Sequence, residues 1–304
     1  MQRPRDTMRG AGVCVMIGAM NFADRLAEAA RQKNSCAILG VDPHLDTKDH
    51  PGVPKSHTLA RFCCEIVEAC APHICAVKPQ LAFYEARGID GMRAFVEVVR
   101  VARRLGLIVI ADAKRGDIGS TSAAYAQAFL GDGDFGCDAV TVNPYQGADS
   151  TMPFIAKVPA GRGVFVLVRT SNPSSGEFQD VATDGLAMWE RVAARVQGWG
   201  SDYIGESGLS PVGAVLGATF PDEARRARKL MPNAFILVPG YGAQGASATD
   251  AIAAARPDGT GIIVNASRSL MYAYRKAQGK SPAEAAASAA AAMRTDLNAA
   301  LAKL

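Results

Sequence analysis

Residues 107–117 read LIVIADAKRGD, so that five apolar residues run directly into a cluster of charged side chains. The apolar part shows no polar alternation, which is typical of a parallel strand buried on both faces. Gly116 then allows the chain to turn. The stretch therefore predicts a buried strand whose carboxyl end carries a functional site.

Short apolar runs of the same kind recur along the chain, separated by longer amphipathic segments. Helical periodicity marks residues 90–105 and 222–230, a helix is predicted from Asn21, and Ser281 to Glu284 form a capping box that opens a final helix. Eight such strands alternating with helices predict an α/β fold, a single-domain (β/α)8 TIM barrel, with a doubly wound open sheet as the alternative. The predicted strands are residues 36–41, 74–77, 107–111, 139–142, 163–168, 214–218, 235–238 and 261–264.

Composition narrows the class of protein. Of 304 residues 49% are hydrophobic and 20% charged, which favours a large core over disorder. The net charge of +4 is spread among acids, so no nucleic-acid partner is predicted. No apolar run reaches the roughly 18 residues of a membrane span. Seven cysteines without a Cys-x-x-Cys pair indicate reduced thiols and a cytoplasmic location.

The first 20 residues are predicted to be an N-terminal extension that is poorly ordered. Three arginines followed by residues 11–20, a short apolar stretch, resemble a signal peptide only superficially, and Met16 or Met20 lies closer to the expected start of the domain. The predicted barrel domain is residues 21–304.

Polar side chains follow most of the predicted strands, where a barrel builds its active site. Two long connections, residues 43–57 and 171–185, fall at the same face; the second is a candidate lid or an ordinary surface loop. The joint pattern predicts a polar pocket where several strands converge, lined after the first five strands by Asp42, Lys78, Asp112, Asn143 and Arg169.

Lys114 lies between Asp112 and Asp117, and this arrangement limits its chemistry. While the chain stays extended, Asp112 and Lys114 point to the same side. Nearby carboxylates keep the lysine protonated, which argues against Schiff-base chemistry and for a proton donor or a cation that stabilises negative charge. The intervening ammonium also competes with a metal for the carboxylate oxygens.

No metal site is predicted from the histidines. His44, His50 and His57 share one polar loop, interpreted as solvated, at spacings that match no zinc pattern, and His73 precedes a strand.

The last two strand ends have the features of an anion site. Gly240, Gly242 and Gly245 allow close backbone approach, Gln244 adds an amide donor, and Arg268 can grip a phosphate with two hydrogen bonds. Barrels often bind phosphate through these two loops.

The segment Asp112-Ala-Lys-Arg-Gly-Asp117-Ile-Gly-Ser-Thr121 resembles the signature of the orotidine 5'-phosphate decarboxylase family, most closely its longer bacterial branch. The resemblance extends from Asn21 over nearly the whole chain. It includes the motifs at residues 40–43, 77–79, 141–145, 169–173 and 238–240.

The resemblance implies decarboxylation of orotidine 5'-monophosphate (OMP) to uridine 5'-monophosphate (UMP), the last step of de novo pyrimidine synthesis, without a cofactor. The implied catalytic residues are Lys114, Asp112, Asp117 and Lys78. A metal-dependent sugar-phosphate aldolase or epimerase on the same barrel, or a non-catalytic nucleotide-binding barrel, remain alternatives.

The same resemblance implies how the substrate is held. Asp42 and Lys78 contact the ribose and Ser171 the pyrimidine, Gln244 and Arg268 hold the phosphate, and Pro239 adjoins the substrate. The commoner members place this arginine directly after a glycine, whereas here it follows Asn265-Ala266-Ser267. Asp117 and Thr121 reach the neighbouring subunit's site across the interface of a homodimer.

Overall fold

The computed structural model describes residues 20–47, 52–242 and 245–304. The predicted extension therefore lies, apart from Met20, outside the described residues. The strands in chain order are β1 (Ala37–Val41), β2 (Ala76–Pro79), β3 (Ile108–Arg115), β4 (Ala139–Val142), β5 (Gly163–Arg169), β6 (Ala182–Thr183), β7 (Leu186–Ala187), β8 (Ser210–Leu216), β9 (Ala234–Pro239) and β10 (Ile262–Ala266).

Eight parallel strands form a closed barrel in the order β1-β10-β9-β8-β5-β4-β3-β2. Closure is made by β1, where Ile38 is in register with Ala76 of β2 on one side and with Asn265 of β10 on the other. The (β/α)8 prediction is confirmed, and the open-sheet alternative is wrong because no strand of the barrel is left as an edge.

Twelve α-helices lie within the described residues, and most of them cover the outside of the barrel. They are α1 (Phe22–Lys33), α2 (Leu59–Cys70), α3 (Leu81–Glu85), α4 (Gly88–Arg104), α5 (Gly119–Leu130), α6 (Ala148–Ile155), α7 (Gly176–Gln179), α8 (Met188–Gly200), α9 (Pro221–Leu230), α10 (Ala248–Ala251), α11 (Arg268–Met271) and α12 (Pro282–Leu301). The predicted capping box of α12 is present, since Ser281 accepts from the Glu284 backbone and the Glu284 side chain accepts from that of Ser281. None of the helices in the described residues is long and apolar enough to span a membrane.

The sixth barrel strand is the one whose position was predicted wrongly. It runs over Ser210–Leu216 rather than residues 214–218. Its polar start is buried but satisfied, because the Ser210 hydroxyl donates to the carbonyl of Gly200 and accepts from the backbone N–H of Val212. The position of an apolar run therefore does not reveal the true start of a strand whose first residue is polar but hydrogen-bonded inside the core.

Helix α1 closes the amino-terminal end of the barrel. Its Phe22 ring meets Phe165 of β5 edge-on, with centroids 6.1 Å apart. Gly163 makes this approach possible, since a Cβ at that position would lie 2.3 Å from the Phe22 ring. Phe22 and Phe165 fill the interior at this end, and the two cavities that line the candidate site lie at the carboxyl ends of the strands.

The connection 171–185 is more ordered than a plain loop. It contains a 3₁₀ turn at Pro173–Ser175, then α7, and the first strand of the β6–β7 hairpin. Within the connection 43–57, no helix or strand occurs in the residues that are described.

Candidate active site

The centre of the site is a chain of three charged side chains on β2 and β3. Lys78 Nζ lies 2.5 Å from Asp112 Oδ2, and Lys114 Nζ lies 2.5 Å from Asp112 Oδ1. Lys78 and Asp112 are buried, whereas the Lys114 side chain is 43% exposed. One carboxylate is thus shared between a buried ammonium and one that reaches into open space.

The backbone at Lys114 departs from a regular strand. Its φ is 46°, in the left-handed region, and the register between β3 and β4 shifts between Ala111 and Arg115. A lysine in this conformation is strained, and such strain persists only where surrounding contacts hold it. The expectation that Asp112 and Lys114 point to the same side agrees with their ion pair, but its premise of an extended chain is wrong at Lys114.

Thr141 on β4 holds this irregular part of β3, a role that the sequence pattern does not indicate. Its hydroxyl accepts from the Lys114 backbone N–H at 2.9 Å and donates to Asp112 Oδ1 at 3.0 Å. One buried side chain therefore fixes both the backbone of Lys114 and the carboxylate of Asp112.

Lys78, Asp112 and Lys114, which we call the charge array, stabilise one another's charged forms. Burial opposes ionisation of Asp112, but Lys78 and Lys114 outweigh it, so the pKa of this carboxyl lies far below its usual range. Burial likewise opposes the charge of Lys78, yet Asp112 and Asp42 raise the pKa of its ammonium above the ordinary value. Asp112 is therefore a carboxylate and Lys78 an ammonium throughout the physiological range of pH.

Asp42 differs from Asp112 although it also lies beside Lys78. Burial raises the pKa of its carboxyl, Lys78 opposes that rise, and the negative charge of Asp112 adds to it. Asn265 Oδ1 is a buried acceptor without a hydrogen-bond partner within the described residues. The Ser267 hydroxyl beside Asp42 lowers the pKa of that carboxyl, but Asp42 Oδ1 and Ser267 Oγ lack a hydrogen bond of ordinary geometry. Buried acceptors of this kind are usually satisfied, so they indicate a ligand or water that donates hydrogen bonds here.

Gly40 brings part of this acceptor cluster together. A Cβ at Gly40 would lie 2.8 Å from Ser267 Cβ and 3.0 Å from Asn265 Oδ1. Any larger residue at position 40 would therefore push Asn265 and Ser267 out of their present positions. In the sequence Asn265 and Ser267 stand out only as neighbours of Arg268, whereas their buried oxygens without well-formed hydrogen bonds mark them as candidate binding residues.

The array lies where two cavities meet at the carboxyl ends of the strands. We call the larger, of about 670 Å³, the glycine-side lobe, because it extends to Gly240, Tyr241, Ser267 and Arg268. We call the smaller, of about 480 Å³, the β5-side lobe. It is lined by Thr141, Leu167, Thr170, Ser171, Asn172, Gln179, Val215 and Leu237. The residues common to both lobes are Lys78, Asp112, Lys114 and Pro239.

The predicted site residues fall into three groups. Asp42, Ser171, Pro239 and Arg268 line the cleft together with the charge array. Asp117 and Thr121 are absent from the lining of both lobes; the Asp117 carboxylate accepts from the next backbone N–H, and Thr121 is exposed. Gln244 lies outside the described residues.

Two predicted strand-end residues do not join the pocket. Asn143 accepts from the backbone N–H of Tyr145, as in an Asx turn. Arg169 is buried against Glu223 and Phe220 behind the cleft wall. The register of β5 with β8 shifts between Leu167 and Arg169, so Leu167 faces the cavity and Arg169, two residues on, does not.

The interpretation of the histidine loop as solvated is wrong for two residues. The ring centroids of His44 and Phe83 are 4.5 Å apart, and His44 lines the glycine-side lobe. It lies at the rim of the barrel because it follows the end of β1 by three residues. His57 Nε2 lies 3.1 Å from Glu65 Oε2, with its side chain 13% exposed. His50 lies outside the described residues. Among the described residues, no group of three or more His, Cys, Asp and Glu side chains is arranged to hold a metal ion.

This arrangement has a definite chemical capacity. Lys114 presents a cationic proton donor at the wall between the two lobes, and the ionised Asp112 lies beside it. A ligand that spans both lobes therefore meets fixed charges of both signs at its middle. Such preorganised charges stabilise charge that develops during a reaction.

Comparisons with known proteins agree with this geometry. The family model described as "Orotidine 5'-phosphate decarboxylase / HUMPS family" matches residues 38–281. A Rhodopirellula baltica protein named orotidine 5'-phosphate decarboxylase is 42% identical over 274 residues, covering 84% of this chain and 90% of its own length. A Deinococcus radiodurans protein of the same name is 42% identical over 282 residues, with 92% and 98% covered.

A solved structure gives the same result in three dimensions. The structure of Leishmania donovani OMP decarboxylase superposes with a TM-score of 0.75 at 31% sequence identity, covering 93% of this chain and 99% of that one. Sequence, barrel topology and the family match over most of the chain agree. The chain belongs to the orotidine 5'-phosphate decarboxylase / HUMPS family.

Proposed function

We propose that this protein decarboxylates OMP to UMP and carbon dioxide without a metal or organic cofactor. The observation that carries the proposal is the Lys78–Asp112–Lys114 array at the junction of the two lobes. Asp42 and Lys78 hold the ribose, and the buried oxygens of Asn265 and Ser267, which lack hydrogen bonds of ordinary geometry, suit its hydroxyl groups. The pyrimidine then occupies the β5-side lobe beside Ser171, and the phosphate occupies the glycine-side lobe beside Arg268. Gln244 stays a predicted second phosphate ligand.

The chemistry assigned to the array is a heterolytic cleavage followed by a proton transfer. The bond from C6 of the pyrimidine to its carboxylate breaks, carbon dioxide leaves, and the electron pair stays on C6. The Lys114 ammonium stabilises that carbanion and gives it a proton, and the resulting amine regains a proton from water. Pro239 is the cleft-lining residue against which the nucleotide packs.

Asp112 contributes repulsion as well as structure in this proposal. Its low pKa keeps it charged opposite the substrate carboxylate. Two like charges at about 4 Å and an effective dielectric near 20 repel by about 4 kcal/mol. Relief of that repulsion is worth about three powers of ten in rate. Repulsion of this size is too small to account for the whole acceleration of the reaction. Most of the acceleration therefore comes from the preorganised charges and from phosphate binding remote from C6.

The decisive experiment follows OMP absorbance in the ultraviolet with EDTA present. Loss of the OMP spectrum with formation of UMP supports the proposal. Activity on sugar phosphates that EDTA abolishes would instead indicate the metal-dependent aldolase or epimerase. Binding of UMP without any turnover of OMP would identify a non-catalytic barrel.

Arg268→Ala is expected to lower kcat/KM for OMP by about two orders of magnitude, because a truncated charge partner of phosphate costs several kcal/mol. Added guanidinium should restore part of the activity. Orotidine, which lacks the phosphate, is the control substrate and should be turned over equally by both proteins. An equal loss with orotidine would remove Arg268 from the phosphate site.

We also propose a cytoplasmic homodimer in which Asp117 and Thr121 serve the partner's site. Both residues lie outside the lining of their own cleft. Ile118, which follows Asp117 in the chain, is 56% exposed, an apolar side chain suited to burial between subunits. The cytoplasmic location is supported by the unpaired thiols of cysteines 36, 63, 64, 70, 75 and 137.

Mixing two inactive variants tests the shared site. Lys114→Ala and Asp117→Ala are each expected to be inactive. If Asp117 serves the partner's site, a mixed dimer holds one site with both defects and one intact site, so equal mixing restores about a quarter of wild-type activity. Absence of any recovery after subunit exchange would contradict the shared site.

A further inference from the structure

Arg169 at the end of β5 is buried behind the β5-side lobe, with its side chain 3% exposed. All three nitrogens of its guanidinium make hydrogen bonds, and one face stacks on Phe220. The residues around it, which with Arg169 we call the Arg169 clamp, are Ser175, Gln179, Asp180, Phe220 and Glu223.

The contacts of the clamp connect the segment after β5 to helix α9. Arg169 Nε donates to Glu223 Oε2 at 2.7 Å, and Nη2 lies 3.0 Å from Asp180 Oδ1. Nη1 donates to Ser175 Oγ at 3.1 Å, while Phe220 stacks below, 4.3 Å from the guanidinium carbon. The planar guanidinium of arginine suits this set, because its three nitrogens reach three separate partners while its flat face stacks on Phe220, whereas the compact ammonium of lysine has neither the spread nor the face.

The clamp is directly continuous with the wall of the cleft. Gln179 Oε1 accepts from the Thr170 backbone N–H at 2.9 Å, and Gln179 Nε2 donates to the Thr170 hydroxyl at 2.7 Å. Thr170, Ser171 and Gln179 all line the β5-side lobe. Arg169 thus holds from behind the side chains that face the ligand in front.

A stability role alone does not account for the clamp. Burying an ion pair costs desolvation, and apolar residues of similar volume often stabilise a fold as well or better. What an apolar replacement could not provide is the fixed direction of the hydrogen-bonding groups of Ser175, Gln179 and Asp180. That direction matters only for the surface they support.

We propose that Arg169 is a positioning residue that, braced by Glu223, sets Ser171 and Gln179 for the planar ring in the β5-side lobe. The inference rests on the proposed function for the identity of that ring, a pyrimidine. Gln179 is then a contact for the polar edge of the ring. Ordering the wall in advance lowers the cost of binding.

The test compares two inhibitors that differ only in the ring. UMP fills both lobes, whereas ribose 5-phosphate contacts the residues that bind the ribose and the phosphate and does not enter the β5-side lobe. Glu223→Gln and Gln179→Ala should each raise the inhibition constant of UMP about tenfold, and Arg169→Ala about a hundredfold. Ribose 5-phosphate should inhibit every variant like wild type, and Arg169→Lys should recover part of the loss.

Asp222→Asn is the matched control. Asp222 precedes Glu223 on α9, but its carboxylate is 93% exposed and pairs with Arg225. UMP inhibition unchanged in Glu223→Gln and Gln179→Ala would overturn the proposal, as would equal weakening of both inhibitors in folded protein. Because Gln179 is only partly buried, its variant keeps the test decisive even if Arg169→Ala unfolds.

Failure of the proposed function would look different. A wild-type protein that does not consume OMP, but whose UMP binding is still weakened selectively by Glu223→Gln, would refute the decarboxylase and leave the clamp standing. In that case direct UMP binding by calorimetry replaces the inhibition constant.

Discussion

Lys114→Ala is expected to lower kcat for OMP by about four to seven orders of magnitude. The lysine has two separable roles, since a general acid contributes about 10²–10⁴ and a preorganised charge about 10²–10³. UMP should still bind to the variant within about tenfold, because Asp42, Lys78 and Arg268 remain in place. Stopped assays over hours, with UMP binding by calorimetry, measure both quantities.

Lys114→Arg separates the two roles. Arginine keeps the cation but releases its proton poorly. The electrostatic share of catalysis should therefore survive, and Lys114→Arg should exceed Lys114→Ala while staying far below wild type. Lys157→Ala, which removes an amine bound to Gln127 on the surface, is the control and should be fully active. Turnover retained by Lys114→Ala would remove this residue from the reaction.

The fold was predictable because most barrel strands are buried on both faces and contain a continuous apolar run. Every residue of β1 is buried, and so is every residue of β4. The sixth strand was displaced because Ser210 is polar, and its hydrogen bonds to Gly200 and Val212 come from residues that the apolar pattern does not evaluate. The apolar pattern of a sequence indicates which residues are buried, but it does not show whether a buried polar group finds hydrogen-bond partners.

The candidate site was predictable as a set of strand ends but not as a set of directions. Lys78, Asp112 and Lys114 do meet, as the position of each after an apolar run indicated. Arg169 looked equivalent, yet the register shift after Leu167 turns it behind the wall. The left-handed backbone of Lys114 was equally hidden, because it depends on Thr141 of the neighbouring strand. Both features arise from pairing between strands, which a single sequence does not display.

Asp112→Asn is expected to destabilise the fold by about 3–5 kcal/mol at neutral pH in addition to abolishing turnover. The Lys78 side chain is 5% exposed, and the substitution removes the carboxylate that bonds it. A buried ammonium that has lost its carboxylate partner keeps its desolvation penalty, and a neutral amide offsets little of it. Urea unfolding at pH 7 measures the loss, with Asp90→Asn as control, since Asp90 is 89% exposed beside Arg93 and should change stability by less than about 0.5 kcal/mol.

The pH dependence of this loss gives a second, independent check. The pKa of Asp112 in the folded protein lies below its usual value of 3.8, so the carboxylate stabilises the fold above that pH. The stabilisation is lost as pH falls from about 4 through the lower folded value. The unfolding free energies of wild type and Asp112→Asn should therefore differ most above pH 5 and converge in acid. A gap that stayed constant down to acid pH would mean that the asparagine is destabilising through shape, and that the charge of Asp112 is not what holds Lys78 in place.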